Sequence, residues 1–295
     1  MRIGAVSYLN TKPLVHGLAE LAPEHELQFD LPSRLADRLA AAQLDVALIP
    51  SIEFFQHPHY EIISDACIGC RGPVRSVKLL SRVPVERIET LALDEGSRTS
   101  VALVRILLKQ RFGLAPRLVP FPIDAASESI AADALLMIGD RAMHSAAGQF
   151  VAEWDLGDVW CRWSELPFVF AMWVARKGSG VRERELGELA DLFSQARDGG
   201  VANVSQIARE EHARYGLSYD DCLTYLRDHL YFHLGPRELA GLRLYYQHAS
   251  DLGLAPRGVR LETNPTTSIA GTKPGPGSPR LDASKTKTGR RIAPG

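Results

Sequence analysis

Along most of the chain, short runs that are apolar throughout alternate with stretches in which apolar residues recur every three or four positions. Runs of the first kind, bounded by turn residues, read as buried strands, and stretches of the second kind as helices packed on them. The pattern predicts strands over 2–7, 26–30, 45–48, 61–64 and 74–80, and helices over 13–21 and 32–42, the latter presenting Leu35, Leu39 and Ala42 on one side. A second series has strands at 90–93, 117–120 and 134–138, a helix directly after Ser100, and helices over 127–132 and 141–146. The aromatic run 167–175 predicts a strand leading back to the first series. Helices follow over 182–197, 201–215, 218–230 and 236–252, the last opened by Pro236 after Gly235, a residue suited to a first helical turn.

Strands separated by helices predict an α/β fold with open mixed sheets. Two series joined by two crossings predict a two-lobed architecture with a hinged inter-lobe cleft. The expected limits are 1–86 plus 172–262 for the first lobe, with the C-terminal helices, and 87–171 for the second. Residues 263–295 are Pro, Gly, Ser, Thr, Lys and Arg with few large apolar side chains, a composition expected to stay disordered.

Composition narrows the function. Of 295 residues, 45% are hydrophobic and 23% charged, enough for a sizeable core. The net charge of −1 offers no field for nucleic acid or an anionic membrane. No apolar run is long enough to cross a bilayer. The strand-like start lacks the apolar core of an export signal, so a cytoplasmic location is expected. Cys67 and Cys70 form a CxxC, but Cys161 and Cys222 stand alone, so the pair reads as strand thiols rather than a zinc or redox site. His229 and His233 are four apart, yet no Glu follows His229 as the zinc-protease pattern requires. Glycine patterns for dinucleotides or nucleotide phosphates are missing, as is a Gly-x-Ser-x-Gly elbow. Neither metal nor cofactor is expected.

Candidate chemistry clusters where strands end. Asp94-Glu95-Gly96-Ser97-Arg98-Thr99-Ser100 turns a strand into a helix through small hydroxylated residues. Unpaired N–H groups at the positive end of a helix receive a carboxylate or phosphate; Ser and Thr there also serve as plain N-caps. Ser7-Tyr8-Leu9-Asn10-Thr11-Lys12-Pro13 follows the first strand in the same way. Asn10 offers an amide that donates and accepts, or a cap; Lys12 offers charge. Pro50-Ser51 ends another strand. Asp140, after Gly139, either orients a substrate hydroxyl or caps the helix that follows. Arg71, Arg75 and Lys78 flank Ser76, as anion ligands or as solvated strand charges. Ligands of open α/β sheets sit beyond the carboxyl ends of strands, where these clusters fall.

The segments IGAVSYLNTKPLVHGL, DVALIPSIEFF, VRSVKLL, LDEGSRTSVALVRILL and LLMIGDRAM, in that order, resemble the chorismate dehydratase family of the futalosine route to menaquinone. The related dihydroxynaphthoate synthases usually open with an SPCPNDT-like segment where this chain has SYLNTKP. The resemblance implies a fold similar to type II periplasmic binding proteins. It also implies a hydro-lyase that converts chorismate to 3-[(1-carboxyvinyl)oxy]benzoate without a cofactor, with a small acid rather than nucleic acid or membrane as partner. By motif position it implies Asn10 as the catalytic residue, and Ser97, Thr99 and Ser100 as carboxylate ligands. Ser76 would contact substrate from the other lobe. Arg98 would be a direct ligand or a brace between lobes. A non-enzymatic small-acid binder with the same cleft, or a related lyase, is the alternative.

Overall fold

The computed structural model describes residues 1–144, 150–178 and 182–261. The chain opens with β1 (Arg2–Val6), a 3-10 helix (Leu9–Val15) and the short α1 (Leu18–Leu21). β2 (Glu26–Asp30), α2 (Pro32–Ala40), β3 (Val46–Pro50), α3 (Ser51–Gln56) and β4 (Tyr60–Cys70) follow. Next come β5 (Val77–Ser81), β6 (Thr90–Asp94), α4 (Arg98–Phe112), β7 (Arg117–Phe121), β8 (Ala134–Ile138), β9 (Ala152–Asp155) and α5 (Leu156–Ser164). The chain then runs through β10 (Phe168–Arg176), α6 (Glu183–Ala202), α7 (Val204–Glu211), α8 (Tyr219–Thr224), a π-turn (Tyr225–His229), β11 (Tyr231–His233) and α9 (Pro236–Asp251).

Two mixed sheets result. The first has the order β11-β4-β10-β3-β1-β2, with β1 parallel to β2 and β3, and β10 antiparallel to β3 and β4. The second has the order β7-β6-β8-β5-β9, with β6 parallel to β7 and β8, and β5 antiparallel to β8 and β9. β3 and β8 are buried at every position, which explains why their sequences are apolar without alternation. Trp173 of β10 stacks on Phe193 of α6 with centroids 4.0 Å apart. Tyr245 of α9 packs edge-on against Trp160 and Phe168, so the C-terminal helix closes over the return of the chain from the second sheet.

The boundary at residue 86 expected from the pattern assigns β5 to the first lobe; β5 pairs in the second sheet instead. The turn before it sets this course. The Asp155 carboxylate accepts the N–H groups of Val74 (3.0 Å) and Arg75 (2.6 Å), and Arg75 takes φ +62°, swinging the chain toward β8. Likewise β10 starts at Phe168, ahead of the expected limit at 172.

Other elements differ for local reasons. The helix expected over 13–21 is broken into the 3-10 helix and α1 because Gly17 adopts φ +67°, outside the helical region. The strand expected over 61–64 runs on to Cys70, so both CxxC thiols lie buried in β4. The expected helix over 127–132 is a 3-10 turn, Ser127–Ser129, and that over 141–146 is Asp140–His144, its remainder lying outside the described residues. The pattern did not indicate α3, β9, α5 or β11. The tail 263–295 lies outside the described residues. Among the described residues, no helix is long and apolar enough to cross a membrane, and no group of three or more His, Cys, Asp or Glu is placed to hold a metal ion.

Candidate active site

The carboxyl ends of β1, β3, β6 and β8 converge on a cavity between the sheets. The first sheet and its loops contribute Val6, Tyr8, Asn10, Pro50, Ile68, Phe170 and Ala171; the second contributes Val77, Ser97, Ser100, Ile138 and Gly139, with Val74 and Ser76 from the crossing between them. Among the described residues, no Asp, Glu, Lys, Arg or His lines it. An anion held here depends on hydroxyls, amides and helix ends.

The turn into α4 is built for that. Ser97 takes an extended backbone conformation as N-cap, and its Oγ accepts the Ser100 N–H at 3.3 Å. The Ser97 and Ser100 hydroxyls are 3.1 Å apart. The cap therefore forms, and the same two hydroxyls border the cavity beside the first N–H groups of a long helix, which have no intrahelical acceptor. From below, buried Asp94 accepts the Gly96 N–H (2.8 Å) and pairs with Arg141, which lies over the Phe121 ring at 4.2 Å. Burial pushes the Asp94 carboxyl up, against the pull of Arg141.

Asn10 rides on the 3-10 helix after β1, half-buried, with its Oδ1 accepting from the Thr11 hydroxyl at 3.4 Å. The helix start is held from the second sheet, because Asp140 Oδ1 accepts the Leu9 N–H at 3.2 Å. Burial pushes the Asp140 carboxyl up to about 6; the Leu9 N–H bond, His144 and Lys12 oppose this. Ser76 is buried at the end of the crossing, beside Val77 of β5.

Four predicted residues, Asn10, Ser76, Ser97 and Ser100, thus border one cavity, and three do not. Arg98 turns outward, bonding Asp37 of α2 at 2.8 and 3.0 Å and Glu53 of α3 at 3.3 Å. These contacts tie the start of α4 to α2 and α3. Thr99 is fully buried on the side of α4 facing α3, its Oγ1 accepting the Ile52 N–H at 3.2 Å and its carbonyl the Tyr245 hydroxyl at 3.0 Å. Its hydroxyl joins the lobes instead of facing the cavity. Asp140 caps the Leu9 helix of the other lobe. The flanking cations are engaged elsewhere: Lys12 with Glu211 (2.7 Å), Arg71 with Glu238 (2.9 Å), Arg75 with Asp221 (3.6 Å) and Lys78 with Glu153 (2.6 Å).

Sequence reading missed Tyr8 and Gly139 as lining residues. Gly139 has φ +67°, and a Cβ there would lie 2.9 Å from the Tyr8 ring; one at Gly96 would lie 2.9 Å from the Tyr8 hydroxyl. The phenol is seated between two glycines, its hydroxyl buried and without a partner among the described residues. Burial first, then Asp94 and Asp140, push it well above an ordinary tyrosine, so it stays a donor. The available signal was its place within the donor-rich segment after β1. The apolar walls Val6, Ile68, Val77 and Phe170 carry no signal, since they look like any buried strand position. The site can clasp a small, partly apolar acid, orient it through fixed donors, and exclude water.

Known proteins resemble this chain over most of its length. The sequence profile of a family described as menaquinone biosynthesis matches residues 1–251. A chorismate dehydratase of Thermus thermophilus is 28% identical over 270 residues, covering 85% of this chain and 95% of that protein. Among solved structures, protein AF1704 from Archaeoglobus fulgidus superposes with a TM-score of 0.69 at 17% identity, over 86% of this chain and 97% of the other. The periplasmic aliphatic sulphonate binding protein SsuA from Escherichia coli gives 0.60 at 15% identity, over 88% and 94%. At such identities the structural likeness shows the fold alone: that of the periplasmic binding proteins.

Proposed function

The chain belongs to the menaquinone biosynthesis family, and from that premise we propose that it is a lyase dehydrating chorismate to 3-[(1-carboxyvinyl)oxy]benzoate by the futalosine route. The observation that carries the reading beyond likeness is the cavity itself. Asn10, Ser76 and the pair Ser97 and Ser100 come to it from three separate segments, between apolar walls. A ring with two carboxylates fits walls of this kind and donors of this number. The reading includes a cytoplasmic location, the setting expected of a biosynthetic enzyme.

In the reaction the ring carbon bearing the ether loses its proton, the neighbouring carbon loses its hydroxyl, and the electron pair of the broken C–H bond completes the aromatic ring. The proton and hydroxyl leave as water. Aromatisation supplies much of the driving force, so the protein's tasks are orientation, stabilisation of developing charge, and dryness. Ser97, Ser100 and the N–H groups opening α4 hold one carboxylate, and Ser76 contacts the substrate from the crossing segment. The Asn10 amide donates to the departing hydroxyl. Among the described residues no carboxylate or imidazole lines the cavity, which supports the substrate's own enolpyruvyl carboxylate as acceptor of the ring proton.

Incubating the purified protein with chorismate and following product by ultraviolet absorbance and chromatography tests this. The benzoate ether should accumulate with each turnover. Tight binding without product would make the protein a binder, and neither outcome would point to a lyase for another acid.

A further inference from the structure

α8 does not end in an ordinary turn but in the π-turn Tyr225–His229. Such turns insert a residue and re-aim a side chain, often at functional sites. Tyr225 is 1% exposed, yet among the described residues its hydroxyl has no partner at full hydrogen-bonding geometry. A buried donor left unpaired costs stability, and its retention calls for a partner that arrives later or a role that outweighs the cost. Two polar side chains confront it. Burial, with Asp140 and Asp155, pushes the phenol up, and incipient hydrogen bonding to the side chains of Ser76 and Asn10 holds it down. Both border the cavity, one on the crossing segment and one on the 3-10 helix after β1.

We propose that Tyr225 is a positioning residue for the dehydration: its hydroxyl donates to the Asn10 carboxamide oxygen when substrate closes the site, fixing which end of the amide faces the substrate. A carboxamide presents an acceptor and a donor end of nearly equal size, so packing alone does not choose between them. Oδ1 already accepts weakly from Thr11 at 3.4 Å. A second donor from Tyr225 fills its other lone pair, and the Nδ2 hydrogens then point into the cavity toward the leaving hydroxyl. Ser76, facing the same phenol, keeps that hydroxyl aligned and ties the amide's orientation to the segment joining the sheets. The inference rests on the reading of Asn10 as the catalytic residue.

Tyr225→Phe removes one oxygen that has no partner at full hydrogen-bonding geometry among the described residues, so the fold should be unaffected and the thermal midpoint should stay within about 2 °C. Turnover should fall roughly tenfold or more while KM changes less than about threefold. In single-turnover reactions with enzyme in excess, the Asn10→Ala, Tyr225→Phe double variant should be no slower than Asn10→Ala alone, because the hydroxyl acts only through the amide. Wild-type turnover in Tyr225→Phe, a rise in KM alone, or losses that multiply in the double variant would each overturn the proposal. Full turnover in Asn10→Ala would overturn the reading of Asn10 instead, whatever Tyr225→Phe does.

Discussion

The Asp140 carboxylate, at the end of a strand of the second sheet, accepts the backbone N–H of Leu9 at 3.2 Å, and so holds the turn that presents Asn10. This clasp carries a cost that depends on pH. Burial raises the carboxyl from 3.8 to about 6, so the folded protein binds its proton more readily than the unfolded chain does. Stability from this group is greatest below the unfolded value and falls as pH rises through the folded one, by about 3 kcal/mol in all. Asp140→Asn keeps the acceptor and removes the charge. Its thermal midpoint should exceed that of the wild type at pH 7.5 and approach it near pH 4, read by melting across pH. Turnover should persist; its complete loss would make Asp140 the base and discard the substrate-carboxylate route.

Asn10→Ala should lower kcat by roughly a hundredfold, the scale of losing one aimed donor. Affinity for the benzoate product, measured by titration calorimetry, should change less than about threefold. Lost affinity with turnover intact would remove Asn10 from the chemistry.

Gly139→Ala meets two obstacles, a left-handed backbone and the Tyr8 ring. The backbone alone costs ~1–2 kcal/mol. Gly17 has the same φ of +67° with nothing within 4 Å of a Cβ, so Gly17→Ala reports that term by itself. The larger drop in midpoint for Gly139→Ala, together with a raised KM, measures how far Tyr8 is displaced. Equal drops and an unchanged KM would free Tyr8 from any part in shaping the cavity.

Arg98→Ala leaves Glu53 buried beneath α4 without its main cation. Burial already pushes that carboxyl up against Arg98. Because the guanidinium is itself partly exposed, solvent screening limits the loss to about 1–2 kcal/mol. Adding Glu53→Gln should restore part of it, with KM near wild type throughout. A KM raised roughly tenfold or more by Arg98→Ala, with stability unchanged, would instead make the residue a ligand.

Strand ends were legible in the sequence, and with them the neighbourhood of the cavity. β6, β8, α4 and α9 are apolar runs or faces closed by strong turn or cap residues, so local chemistry alone delimits them. The direction of individual side chains was not legible. Arg98, Thr99 and Ser100 are neighbours on one helical turn, and which of them meets the cavity depends on how α4 lies against α3, a tertiary fact. Tyr225 falls inside the span expected as a helix over 218–230, where nothing local marks a π-turn or the approach of Asn10. The CxxC spacing drew attention to Cys67 and Cys70, whereas the thiol that reaches the Cys70 carbonyl is Cys161, from α5.

A cavity whose described walls carry no formal charge grips its acid only at contact. Mobile ions blunt attractions that reach across a Debye length, about 8–10 Å under cellular conditions, and have little purchase on backbone dipoles pressed against a bound carboxylate. Uptake by such an enzyme should be nearly indifferent to ionic strength, and inorganic phosphate or sulfate should compete poorly. Shape, more than charge, would then decide which metabolite enters.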